Sequence, residues 1–240
     1  MPDTLVNEQP PFESPQPIKL ELADFRLLAD SGAFAAYCKS ELLGGELWGA
    51  TAENEASGAK CPIKLRIEDY ERLSEAGAFD RYGRTELIDG VVYAMNPRHR
   101  RHMRIKNELA FRLRLAVEAI GSTLFVGTEG TVAMPPHDAP EPDILLTSEP
   151  EGDGPVPLLS VALLVEVADT SLGFDLGQLA AQYALHGVPE YWVVDVRGLT
   201  IHQMWSPQQD SYGRRQQVKF GERIEAVTIK GLAVATDGLV

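Results

Sequence analysis

Residues 161–168 read Val-Ala-Leu-Leu-Val-Glu-Val-Ala, an apolar run that does not alternate with polar side chains. A strand wetted on one face alternates; an unbroken run belongs to an interior strand covered on both faces. This points to an α+β (α/β) architecture, a central mixed β-sheet flanked by helices. Glu166 interrupts the run. An ionised carboxylate among aliphatic neighbours costs several kcal/mol unless it is paired, hydrogen-bonded or bound to a metal. Asp143 poses the same problem, because Pro142-Asp143 leads directly into Ile144-Leu145-Leu146. Two carboxylates on neighbouring strands make a natural site for a hard divalent cation. Cations held in this way support phosphodiester-cleaving chemistry.

The remaining elements follow from periodicity and breakers. A helix of about 20 residues is expected after Asn96-Pro97, with Ile105, Leu109, Leu113, Ala116 and Ile120 as its core stripe. Short strands are expected near 124–127, 130–134 and 143–147, and a helix over 174–186 ending at Gly187. Further strands are expected at 190–195, Thr200–Trp205, Gln216–Phe220 and Glu225–Ile229.

The N-terminal third contains a duplication. Residues 17–50 align with 62–95, with 13 of 34 positions identical, far above chance. Both copies begin Pro-Ile-Lys-Leu, share Gly-Ala-Phe, and reach a Glu-Leu step before a turn at Gly44-Gly45 or Asp89-Gly90. Each copy reads as a strand, a helix (near 23–30 or 68–75), then a strand entering a hairpin. The expected organisation is a disordered Pro-rich tail over 1–16, a duplicated unit over 17–50, a linker over 51–61 and the main domain over 62–240. The alternation Ile18, Leu20, Leu22 demands a neighbouring strand, so the first unit is expected to dock on a sheet edge or on a partner subunit. A homo-oligomer, a dimer, is the expectation.

Composition narrows the function classes. The net charge of −13 argues against tight non-specific binding to nucleic acid over the whole surface. Residues 96–114 reverse that average, with Arg98, Arg100, Arg101, Arg104, Lys106, Arg112 and Arg114 against Glu108 alone. A solvated helix face with an Arg104–Glu108 pair explains part of this, and a phosphate-contacting surface explains the surplus. No run is long and apolar enough to span a membrane. Cys38 and Cys61 show neither metal-ligand spacing nor a disulfide framework, and the N-terminus lacks the features of a secretory signal, so a cytoplasmic setting is expected. Trp48, Trp192 and Trp205 read as packing groups.

From residue 62 onward the chain resembles the Uma-type family of restriction endonucleases, within the PD-(D/E)XK nuclease superfamily. The matching segments are Glu86-Leu-Ile-Asp-Gly90, His102 with Ile105 and Leu109, Pro142-Asp143-Ile144 and Val165-Glu166-Val167. They continue through 183–195 and a terminal Gly221-Glu-Arg-Ile with Lys230-Gly-Leu. The stretch 187–195 is the most specific of these. The resemblance implies a restriction-endonuclease-like fold and a DNA endonuclease, with Asp143, Glu166 and the Val167 carbonyl holding Mg²⁺ or Mn²⁺. It also makes Glu86 and His102 candidate catalytic residues, and Arg98, Arg101, Arg104, Lys106 and Arg112 a local DNA contact. Bland alternatives stand beside these roles. Glu86 also reads as a strand-edge carboxylate, His102 as a hydrogen-bonded core histidine, Asp143 as a turn residue and Glu166 as half of an ion pair.

One departure bears on activity. The family's catalytic lysine lies four residues before the tyrosine, which here is Tyr183, so its position holds Leu179. No lysine occurs between Ala168 and Asp195, and Gln178 and Gln182 carry no charge. Two readings remain: a metal-dependent nuclease, or a catalytically inactive binding or regulatory protein on the same fold.

Overall fold

The structure, a computed structural model, describes residues 14–55, 58–97 and 99–239. Its centre is a six-stranded mixed sheet in the order Ser211–Lys219, Thr200–Gln208, Glu190–Asp195, Val161–Ala168, Ile144–Thr147, Phe125–Gly127. Val161–Ala168 runs parallel to Glu190–Asp195 and antiparallel to Ile144–Thr147. Leu163, Leu164 and Val165 have no exposed surface, as an interior strand covered on both faces requires. Leu163, Val165 and Val167 pack into one core with Ile105, Leu109 and Leu113 of the long helix Arg100–Ala119. Leu164 and Ala168 face the opposite core, which contains Leu179, Tyr183 and Tyr191. Each fully buried aliphatic side chain contributes about 1.5–3 kcal/mol through burial.

The long helix begins at Arg100 rather than at Asn96-Pro97, with His99 at the cap position. Ile105, Leu109 and Leu113 are fully buried; Ala116 and Ile120 pack at the margin. The helix expected over 174–186 is three pieces, α-helical Leu172–Phe174, a π-helical turn Asp175–Leu179 and α-helical Ala180–Leu185. It stops at Gly187, whose φ of +74° suits glycine. Beyond it, the expected strands at 200–205 and 216–220 extend into one long hairpin, Thr200–Gln208 with Ser211–Lys219. The outer strand is mostly exposed and polar, so its sequence lacks the alternation that marks a half-buried strand.

The 187–195 motif anchors this sheet. Glu190, fully buried, accepts hydrogen bonds from Trp192 Nε1 (2.7 Å), Gln203 Nε2 (2.6 Å) and both the backbone N–H and hydroxyl of Thr228 (2.8 Å each). Four donors satisfy a buried carboxyl group, and the motif's acid thereby ties three segments together. Trp192 is core, while Trp48 and Trp205 are partly buried.

The two N-terminal copies exchange strands. Gln16–Pro17 of the first copy pairs with Val91–Ala94 of the second, and Cys61–Pro62 of the second pairs with Glu46–Ala50 of the first. The exchange is reciprocal to the residue: Ile18 N–H donates to Val92 O (2.7 Å), and Ile63 N–H to Leu47 O (2.9 Å). Both copies then start a helix in the same way, Asp24 accepting from the Glu21 N–H (2.7 Å) and Asp69 from the Arg66 N–H (3.1 Å). Ile18, Leu20, Ile63 and Leu65 share one core, whereas Leu22 is the first helical residue and lies exposed. The first unit therefore docks on a sheet edge of its own chain. Residues 1–13 of the expected tail lie outside the described residues, but Gln16 is already paired with Ala94. The expected linker includes a short helix, Ala52–Glu55. No helix among the described residues is long and apolar enough to cross a membrane.

Candidate active site

Antiparallel pairing sets Val165 opposite Ile144, so the next step along the ladder sets Glu166 opposite Asp143. The Asp143 N–H donates to Glu166 Oε2 at 3.3 Å. The two carboxylates predicted from separate apolar runs thus meet at one point at the end of the Ile144–Thr147 strand. Both are held from behind. Asp143 Oδ2 accepts from the Val167 N–H (2.9 Å) and lies 2.9 Å from His102 Nε2. Glu166 Oε1 accepts from the Tyr183 hydroxyl at 3.1 Å. An ionised carboxylate only accepts, so the His102 contact fixes a proton on Nε2. His102 is buried among the core side chains of its helix, and its Nδ1 has no partner. Its two expected roles merge here: it is a hydrogen-bonded core histidine whose partner is the candidate ligand Asp143.

A cleft opens over this pair, bordered by Arg84, Asn96, His99, His102, Val167, Thr170, Asp175 and Leu179. Glu86 is buried behind Arg84, whose Nη2 lies 3.3 Å from Glu86 Oε1. Burial, then crowding by Glu141 and Asp143, pushes the Glu86 carboxyl up to about 8, against the pull of Arg84. Burial, then repulsion from Asp143, Asp175 and Glu86, raises Glu166 well above the usual carboxylate range. Asp175, on the π-helical turn, is raised to about 7 by burial and by Asp143, despite a 2.6 Å hydrogen bond from the Ser171 hydroxyl. The Arg84 guanidinium forms its ion pair with Glu86 and also acts on Glu166 through its charge.

Acids crowded in this way suit a cation. Mg²⁺ is commonly held by one or two carboxylates, with water and substrate phosphates completing the shell. Among the described residues no three His, Cys, Asp or Glu side chains form a closed metal cage. The pair Asp143 and Glu166, hard oxygen donors meeting under an open cleft, fits the open arrangement.

Two members of the expected DNA-contacting set are committed elsewhere. Lys106 is buried and paired with Glu129, so its charge does not reach the surface. Arg112 bonds Glu108 (2.8 Å) and the carbonyls of Ala235 (2.8 Å) and Asp237 (2.7 Å), clamping the C-terminal segment. Glu108 is thus taken by Arg112, not by Arg104, one turn from the expected pair. Arg101 and Arg104 are exposed, and Arg98 lies outside the described residues. Gln178 bonds the Tyr93 hydroxyl, and neither Gln178 nor Gln182 borders the cleft.

Arg84, Asn96 and Asp175 escaped the sequence reading. Arg84 had a detectable signal, since it precedes Glu86 by two residues and strand alternation sets both on one face. Asn96, expected as a helix cap, instead donates to the Thr170 hydroxyl at 2.8 Å. Asp175 had none, because an aspartate in the first turns of a helix is ordinary.

The family model Uma2, described as "Putative restriction endonuclease", matches residues 67–237. A solved structure described as a putative nuclease belonging to DUF820, from Anabaena variabilis ATCC 29413, is similar at 17% identity and a TM-score of 0.46. That similarity covers 59% of this chain and 80% of the other. No curated protein matches the chain.

Proposed function

The chain belongs to the Uma2 family, and from that premise we propose that it is a divalent-metal-dependent endonuclease that hydrolyses phosphodiester bonds in DNA. The observation that carries this reading is the meeting of Asp143 and Glu166 across paired strands, under an open cleft. Asp143, Glu166 and the Val167 carbonyl would hold Mg²⁺ or Mn²⁺. Such an ion supplies Lewis acidity and a bound water of lowered pKa. His102 and Tyr183 hold the two carboxylates in register, each through one hydrogen bond. Glu86 sits behind the pair and holds Arg84 at the cleft. The exposed Arg101 and Arg104, at the start of the helix that carries His102, would meet the DNA backbone.

Leu179 favours a second reading, a DNA-binding protein on the same fold that does not cut. It borders the cleft where the family resemblance expects a lysine, and it is almost fully buried. Cleavage of supercoiled plasmid with Mg²⁺ separates the two. The nuclease reading predicts nicked or linear product, lost on chelation, and reduced at least 100-fold by Glu166→Gln or Asp143→Asn, about the cost of removing one key electrostatic group. Metal-dependent DNA binding with no product would support the second reading.

A further inference from the structure

The cleft lacks a lysine at position 179 but has Arg84 among its lining residues. We propose that Arg84 takes over the task of the missing lysine, receiving the oxygens of the scissile phosphate from the hairpin side of the cleft. This rests on the nuclease reading above.

Arg84 borders the same cleft as Asp143 and Glu166. Its Nη2 is 3.3 Å from Glu86, but its Nε and Nη1 are buried with no hydrogen-bond partner. Buried donors are almost always satisfied, so two orphaned nitrogens leave this guanidinium with donors to spend when the side chain turns to an acceptor in the cleft. An arginine serving only as counter-ion to the surrounding acids would spend those donors on them. The charge is also secure: Glu86, Asp143, Glu166 and Glu141 favour the protonated form, outweighing the cost of burial. Placement is fixed by the fold, since Arg84 stands at the entry of the Thr85–Ile88 strand, beside the buried Glu86. Guanidinium suits a phosphate better than an ammonium does where several oxygens must be met. Leu179 completes the argument, because the helix wall needs no charge if the hairpin wall supplies it.

The test uses the full chain and four variants: Arg84→Met, Arg84→Lys, Leu179→Lys and the Arg84→Met/Leu179→Lys double. Binding of a short fluorescent duplex is measured with Ca²⁺ and single-turnover cleavage with Mg²⁺, and thermal midpoints are recorded for each protein. Arg84→Met should keep its midpoint and bind duplex within a few-fold of the parent, yet cleave about 100-fold or more slowly. Arg84→Lys should recover part of the rate, and so should the double variant, which returns a cation from the other wall. Parent-like cleavage by Arg84→Met would overturn the assignment and leave the nuclease reading intact. A slow, unstable Arg84→Met that neither lysine rescues would make Arg84 a structural counter-ion and overturn it as well. If the parent neither binds nor cuts, the nuclease reading falls and takes this inference with it.

Discussion

The duplication provides an internal control at the scale of single residues. Glu41 and Glu86 occupy equivalent positions, 45 apart. Glu41 lies near the surface, where hydrogen bonds from Lys39 and Lys60 lower its carboxyl to about 2. Glu86 is buried, and burial raises its carboxyl to about 8. The same residue in the same local sequence takes opposite shifts because only one copy faces the cleft. A pH prediction follows. Glu86 rises from 4.5 to about 8 and Asp175 from 3.8 to about 7, so folding favours their protonated forms. Their contribution to stability is complete below about pH 4 and is lost as pH rises through 7 to 8. The thermal midpoint of metal-free protein should fall between pH 5 and pH 9, and Glu86→Gln should flatten the fall. Excess Mg²⁺ should raise the midpoint more at pH 8.5 than at pH 6, since the cation favours the ionised acids. A midpoint in Glu86→Gln with the parent's pH slope would refute this assignment. Asp143 and Glu166 were legible because a carboxylate in an apolar run is costly wherever the chain folds. Asp175 was not, because a charge in a polar segment acquires meaning only from what tertiary packing sets beside it.

At the scale of elements, the repeat was legible and its exchange was not. Residues 17–20 and 62–65 are both Pro-Ile-Lys-Leu, so either segment could serve either hairpin. Local pattern sets which face of a strand is buried, not which of two similar edges it joins. The reciprocal pairing predicts that Ile18→Asp and Ile63→Asp will be comparably destabilising, each by roughly 2–4 kcal/mol, the cost of an unpaired charge in a packed core. Urea unfolding with parallel fluorescence and circular dichroism measures both. A loss confined to Ile63→Asp would mean that the first unit is an appendage rather than half of an interlocked pair. The π-helical turn at 175–179 was likewise invisible, because the apolar spacing of 174–186 accommodates a plain helix. Such turns cluster at functional sites, and this one delivers Asp175 and Leu179 to the cleft.

Over the whole molecule, the fold class was legible from the unbroken run at 161–168 and from the Uma-type motifs, which mark a restriction-endonuclease-like fold. The most specific motif stretch, 187–195, proved to serve the sheet, with Glu190 at its anchor. The net charge of −13 conceals its own distribution. Acids converge at one cleft, and exposed arginines begin the helix beside it. Under the proposed function that separation of charge would draw a cation inward and leave a basic rim for a polyanion.

In the proposed metal centre Asp143 and Glu166 grip one divalent ion together. Isothermal titration of Mg²⁺ into the metal-free full chain tests it most directly, with Asp143→Asn and Glu166→Gln alongside. The expected result is one site per chain, weakened at least tenfold in each variant while both remain folded. No binding heat in the parent, or undiminished binding in Glu166→Gln, would contradict it.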